Sequence, residues 1–194
     1  MNLPTQLSLL RIPLTFLIMG LLFLPGWPAK ACALVGFLLA GLTDWLDGFL
    51  ARRWGQSSPL GALLDPIADK VLVLGLFLAF IQLRMVPAWM VLVIVLRESV
   101  ITGVRLFAAS RRIVLAAAIE GKQKTVSQLL AIVVILCVML IREVAGPDGL
   151  SEAAESGMDA VVLGLLWVTV ILTVVSGASF FWRHRGVLLE AVTK

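Results

Sequence analysis

Charge is scarce in this sequence. Of 194 residues only 14% are Asp, Glu, Lys or Arg, against roughly 25% in soluble domains. Hydrophobic residues make up 60% and the mean hydropathy is +1.04, which excludes an ordinary water-soluble domain and points to an integral membrane protein. Histidine occurs once, at His184, so a histidine-based hydrolase or histidine metal site is not expected. Its neighbours Arg183 and Arg185 suggest instead an anchor at the membrane interface. The two cysteines, Cys32 and Cys137, lie in apolar stretches and read as small buried hydrophobes rather than a disulfide or zinc site. No internal repeat or low-complexity tract is present, so a repeat-built transporter gains no support. No basic soluble segment exists either; loop charge accounts for the pI of about 9.6, and nucleic-acid binding is not indicated.

The apolar residues fall into six runs, near residues 7 to 25, 29 to 53, 60 to 83, 86 to 109, 122 to 142 and 158 to 182. Each is long enough for a helix of about 20 residues to cross a hydrocarbon core of about 30 Å. The expected fold is a single all-α transmembrane domain over residues 1 to 194. Turn chemistry separates the runs: Pro25-Gly26-Trp27-Pro28, Ser57-Ser58-Pro59, Pro87, and Gly146-Pro147-Asp148-Gly149. Ser58 is a candidate cap for the third helix, with Pro59 in its first turn. The first run follows a nearly uncharged segment and ends in a turn, so a cleaved secretory leader is not expected.

Basic residues orient the spans. Arg52, Arg53, Arg111, Arg112, Lys122, Lys124, Arg183, Arg185 and Lys194 fall at one set of ends, and Lys30, Arg84 and Arg142 at the other. The positive-inside rule makes the first set cytoplasmic and puts both termini there. Glu143, Asp148, Glu152, Glu155 and Asp159 then read as an external loop between spans five and six.

Against this background four aspartates stand out: Asp44, Asp47, Asp65 and Asp69. A carboxylate held in the membrane costs roughly 3 kcal/mol on insertion scales, so four together require compensating positive charge. At about 100° per residue, Asp44, Asp47, Gly48 and Ala51 share one helical stripe with Arg52 at its edge, and Gly61, Asp65 and Asp69 form a row on the next helix. The short connection predicts antiparallel neighbours whose rows face each other near the cytoplasmic surface. An all-oxygen donor set suits magnesium, manganese or calcium, and a pair of such ions would stabilise a phosphoryl group under attack and its leaving oxygen. Gly48, Ala51 and Gly61 remove bulk beside the carboxylates, leaving room for a nucleotide or for close helix approach. Two competing readings are structural ion pairs with Arg52, Arg53 and Lys70, and a cation or proton pathway. An ion pathway does not require Gly48, Ala51 and Arg52 beside the carboxylates.

The full spacing D-x2-D-G-x2-A-R-x8-G-x3-D-x3-D from Asp44 to Asp69 resembles the signature of the CDP-alcohol phosphotransferases, with all eight positions filled. The resemblance implies six transmembrane helices, frequently a homodimer, and a cytoplasm-facing site for a CDP-linked lipid and two divalent cations, magnesium or manganese. It assigns Asp44, Asp47, Asp65 and Asp69 to the metals and makes Asp69 the base for the acceptor hydroxyl. Gly48, Ala51, Arg52 and Gly61 would line the CDP pocket.

Further stretches resemble the phosphatidylglycerophosphate synthase branch of that family. Asn2-Leu3-Pro4-Thr5-Gln6-Leu7-Ser8-Leu9-Leu10-Arg11 is similar to its Asn-x-Pro-Asn-x-Leu-Thr-x-x-Arg pattern, departing at Thr5 and Ser8. Arg97-Glu98-Ser99, Thr102-Gly103-Val104-Arg105, Gly121-Lys122-Gln123-Lys124-Thr125 and Asp65-Pro66-Ile67-Ala68-Asp69-Lys70 are similar too. This resemblance implies a bacterial inner-membrane enzyme that joins CDP-diacylglycerol to glycerol 3-phosphate and releases CMP. The alternative is the same chemistry on inositol phosphate, serine or phosphatidylglycerol. For the acceptor's dianionic phosphate the leading partners are Arg105, Lys122 and Lys124, with Arg111 and Arg112 secondary. Arg97 and Glu98, adjacent inside the fourth span, read equally as an interhelix ion pair.

Overall fold

Six α-helices follow one another in the computed structural model: α1 (Leu3–Phe23), α2 (Trp27–Trp54), α3 (Pro59–Gln82), α4 (Ala88–Ser110), α5 (Ile119–Ala145) and α6 (Glu152–Thr193). The structure describes the backbone of residues 3–54, 59–110, 119–147 and 149–193, and the side chains of residues 10–43, 70–109, 123–147 and 149–185. The six predicted runs each became one helix. Ser58, named as a cap, lies outside the described residues.

The breaks have local causes. Gly26 (φ 96°) follows α1 and Gly146 (φ 73°) follows α5, in the left-handed region that glycine enters without steric cost. The Gly146 N–H donates to the Arg142 carbonyl at 3.1 Å, closing α5. At the end of α3 the left-handed residue is Arg84 (φ 59°), which sequence reading treated only as a charge. The Arg84 N–H donates to Ile81 O and the Met85 N–H to Phe80 O, both at 2.9 Å. This is the paired-bond Schellman closure of a helix.

One boundary moved. Of the acidic residues read as an external loop, Glu152, Glu155 and Asp159 lie in α6, which starts at Glu152 rather than near residue 158 and runs 42 residues, Glu143 lies in α5, and Asp148 is outside the described residues. Ser151 supplies the reason: its Oγ accepts the Ala154 N–H at 3.3 Å, and Glu152 and Glu155 lie in the first turn, where the helix dipole favours negative charge.

The chain folds as two compact units. Unit 1 comprises residues 1–85 and 132–158. Here α1 packs on both α2 and α3, around a core that includes Ile18, Leu22, Phe37, Leu76, Phe77, Phe80 and Ile135. The α1–α3 contact is close because Gly75 has no side chain: a Cβ there would lie 2.9 Å from Thr15 Cγ2 and 3.2 Å from Met19 Sδ. Gly36 of α2 meets Ile18 of α1 in the same manner, at 3.2 Å.

The ends of unit 1 that carry Lys30, Arg84 and Arg142 are joined by polar contacts. Lys30 Nζ donates to the carbonyls of Leu22 and Leu24, each at 2.7 Å, and lies 3.6 Å from Glu143. Glu143 accepts the Gly26 N–H at 3.1 Å, and Arg142 Nη1 reaches Met85 Sδ at 3.7 Å. The α1–α2 turn, the residues just after α3 and the end of α5 therefore meet.

Unit 2 comprises residues 86–131 and 159–194. Its core includes Met90, Ile94, Ile101, Leu166, Val170 and Phe180. Leu92 and Leu96 of α4 and Val168, Ile171 and Val175 of α6 face outward, whereas Glu98, Lys124, Gln128, Thr169, Thr173 and Ser176 are buried. An apolar exterior, with polar side chains buried among the apolar core, suits lipid rather than water. Among the described residues, Gln123–Ala145 and Glu152–Arg185 are long and apolar enough to cross a membrane, consistent with a membrane protein.

Three smaller expectations need correction or qualification. Cys32 is exposed rather than buried, on the outward side of α2 with Val35 and Leu39. Cys137 is half-buried. His184 is buried rather than interfacial: its Nδ1 is 2.9 Å from the Phe180 carbonyl, and its ring lies 4.7 Å from that of Phe180. Trp27, Trp89, Trp167 and Trp182 are all exposed.

Candidate functional site

Unit 1 contains both helices that bear the aspartates. α2 is helical without interruption through Asp44, Asp47, Gly48, Ala51 and Arg52, and α3 through Gly61, Asp65 and Asp69. The helical spacing assumed for the two rows therefore holds along each backbone. The side chains of these residues lie outside the described residues. Both helices pack against α1.

Among the described residues no group of three or more His, Cys, Asp or Glu side chains could hold a metal. The donor set on α2 and α3 is four carboxylates with no thiol or imidazole. That chemistry fits hard divalent cations such as magnesium or manganese.

Unit 2 contains the residues assigned to the acceptor phosphate. Lys124, near the start of α5, is buried and ion-paired with Glu98 of α4. Glu98 also accepts from Arg97 Nη1 at 3.1 Å. Arg97 Nη2 donates to Ser176 Oγ of α6 at 3.1 Å, and a Cβ on Gly177 would meet Arg97 Cγ at 3.4 Å. Three helices thus meet at one cluster of two cations and one carboxylate. The reading of Arg97 and Glu98 as an interhelix pair needs refinement: they pair with each other along α4, and each then reaches a different helix.

Arg105 lies eight residues beyond Arg97 on α4, about two turns further along. It is exposed, with its guanidinium carbon 5.5 Å from the centre of the Phe180 ring. Phe180 is buried and packed against His184. The ring is therefore held in place while Arg105 itself is exposed, a useful arrangement for an anion contact. Lys122 lies within α5, but its side chain falls outside the described residues, and Arg111 and Arg112 fall outside them entirely.

Sequence reading missed the polar stripe of α6. Thr169 and Thr173 are fully buried and Ser176 nearly so. Their hydroxyls donate to backbone carbonyls: Thr173 to Thr169 O at 2.7 Å, Ser176 to Thr173 O at 3.1 Å, and Thr169 to Leu165 O at 2.9 Å. Thr169 also lies 3.3 Å from Ser127 O of α5. Spacings of four and three residues inside an apolar run were the available signal. Ser176 matters most, because its oxygen also receives Arg97.

Comparison with known proteins identifies the family. A family model described as CDP-alcohol phosphatidyltransferase matches residues 1–175. The chain is 35% identical over 195 residues to the CDP-diacylglycerol--glycerol-3-phosphate 3-phosphatidyltransferase of Bacillus subtilis, covering 94% of this chain and 95% of the relative. Proteins with the same name from Sodalis glossinidius and Pectobacterium atrosepticum are 34% and 38% identical, covering 98% and 97% of this chain and 98% of each relative. With the signature complete on α2 and α3 and the family model matching most of its length, the chain belongs to the CDP-alcohol phosphatidyltransferase family.

Proposed function

We propose that the protein transfers the phosphatidyl group of CDP-diacylglycerol to sn-glycerol 3-phosphate, giving phosphatidylglycerophosphate and CMP. One observation carries this reading. The complete aspartate signature lies on two uninterrupted helices of a chain that aligns almost end to end with relatives named for that reaction. In the proposed setting all six helices span a bacterial inner membrane, as a homodimer, with both termini and the site facing the cytoplasm. The basic residues at one set of helix ends support that orientation.

The chemistry follows from the residue types. Two divalent cations, magnesium or manganese, held by Asp44, Asp47, Asp65 and Asp69 would supply positive charge to the diphosphate. Gly48, Ala51 and Gly61 leave room for the CDP moiety, and Arg52 offers a planar cation to its phosphates. The acceptor hydroxyl oxygen attacks the phosphorus that carries the lipid alcohol. A new P–O bond forms to glycerol 3-phosphate, the P–O bond to CMP breaks, and the hydroxyl proton passes to the Asp69 carboxylate. Arg105, Lys122 and Lys124 bind the acceptor's own phosphate, which takes no part in bond exchange.

The test is CMP release by purified protein given CDP-diacylglycerol, magnesium or manganese, and a panel of alcohols. Turnover with glycerol 3-phosphate supports the reading. Turnover only with another alcohol rejects the acceptor, and no CMP with any alcohol rejects the mechanism.

A further inference from the structure

Gln128 of α5 is buried, only 3% exposed, and its amide nitrogen Nε2 has no hydrogen-bond partner. A buried amide donor that has left water without gaining an acceptor destabilises the fold that holds it. The polar groups nearby along α5 and α6 do not relieve it: Ser127, Thr169 and Thr173 donate their hydroxyl protons to backbone carbonyls. Elsewhere in unit 2, among the described residues, one other buried side-chain atom is unpaired, Arg97 Nε, and it too is an N–H donor. What the interior of this unit lacks is therefore acceptors, which a bound molecule carrying oxygen would supply.

The place of Gln128 selects the kind of oxygen. α5 starts at Ile119, so Gln128 lies about 13 Å along the helix and, one turn beyond Lys124, about 6 Å further from its start on the same face. In the orientation proposed above, that is deeper in the membrane than the basic residues at the start of α5, at the level of glycerol and ester groups rather than of phosphates. A neutral amide also suits an uncharged oxygen. We propose that Gln128 binds substrate: its amide N–H donates to an uncharged oxygen, supplied by the hydroxyl of glycerol 3-phosphate that does not react or by an ester carbonyl of CDP-diacylglycerol. The proposal rests on the transfer reading above. Gln128 takes no part in bond exchange; it recognises, and a substrate that lacks the oxygen forfeits its preference.

The test uses the full chain in detergent micelles with magnesium and the variant Gln128→Leu, an apolar side chain of similar size. Without substrate its Tm, read by tryptophan fluorescence, should equal or exceed that of the unsubstituted protein, because an unpaired donor has gone. The KM for one substrate should rise about tenfold and that for the other less than about twofold. Gln128→Met, unbranched, should behave alike and serves where leucine packs poorly. Substrate analogues identify the oxygen. If it is the hydroxyl, the unsubstituted protein prefers glycerol 3-phosphate to 3-hydroxypropyl phosphate and the variants lose that preference; if it is the ester, the same loss appears between diacyl and dialkyl-ether forms of the CDP-lipid. Preference retained in both comparisons, both KM values raised alike, or a lower Tm in both variants overturns the proposal. Binding is scored apart from turnover by the rise in Tm that each substrate produces. If the unsubstituted protein releases no CMP with any alcohol, the transfer reading fails while these rises still decide: a smaller rise in Gln128→Leu for one substrate supports the contact, and equal rises overturn it.

Discussion

Lys30 and Glu143 join the start of α2 to the end of α5: their charged atoms lie 3.6 Å apart, and Lys30 also donates to the carbonyls of Leu22 and Leu24 around the end of α1. Lys30 is almost fully buried whereas a third of the Glu143 side chain is exposed. The two should therefore differ in cost. Lys30→Met leaves the Leu22 and Leu24 carbonyls without this donor and removes the cation beside Glu143, an effect of about 2 to 4 kcal/mol. Glu143→Gln keeps the carbonyl contacts and should cost about 1 kcal/mol. Thermal unfolding in detergent should rank Lys30→Met below Glu143→Gln, with turnover per folded molecule preserved in both. The reverse order would deny the capping role.

Gly75 permits the close approach of α1 and α3. Gly75→Ala places a methyl 2.9 Å from Thr15 Cγ2, an overpacking that should cost about 1 to 3 kcal/mol. Because α3 also carries Asp65 and Asp69, activity should fall with stability. Gly20→Ala meets nothing within 4 Å and should be neutral or slightly stabilising. Thr15→Ser, which removes the offending methyl, should rescue Gly75→Ala in a double-mutant cycle. Additive losses would place the strain elsewhere.

Asp69→Asn should abolish CMP release while leaving much of the nucleotide affinity, measured as CMP binding. Loss of both together would assign Asp69 to holding the nucleotide, and unchanged turnover would exclude it as the base. Removing divalent ions with a chelator should stop turnover, and magnesium or manganese should restore it.

Arg105 rests on Phe180. A cation–π contact at an exposed site contributes about 0.5 to 1 kcal/mol, so Phe180→Leu should raise the KM for glycerol 3-phosphate about two- to fivefold. Arg105→Ala should raise it further. A Phe180→Leu protein with unaltered acceptor KM would reduce the ring to core packing.

Much of this was readable in the chain because long apolar runs impose a simple code. Apolar runs of span length can satisfy their backbones only as helices, so each of the six runs became one helix, and proline and glycine punctuation placed most of the ends. What escaped were features set by tertiary contact or by local capping. The early start of α6 depends on Ser151 as a cap, which turned Glu152 and Glu155 from loop residues into first-turn residues. Arg84 in a left-handed turn gives no compositional signal. The burial of His184 depends on Phe180 beside it. The aspartate signature was legible because its chemistry is local to two helices. The Arg97–Glu98–Lys124–Ser176 cluster draws on three helices, and sequence spacing says nothing of which helices meet.

The most direct measurement is the identity of the lipid made from CDP-diacylglycerol and glycerol 3-phosphate by purified protein with magnesium or manganese, read by mass spectrometry beside the CMP released. The proposed transfer predicts phosphatidylglycerophosphate and CMP in equal amounts, both absent for Asp69→Asn. CMP formed with phosphatidic acid in place of phosphatidylglycerophosphate would mean that water, not the acceptor, attacks the phosphorus, and would contradict the transfer.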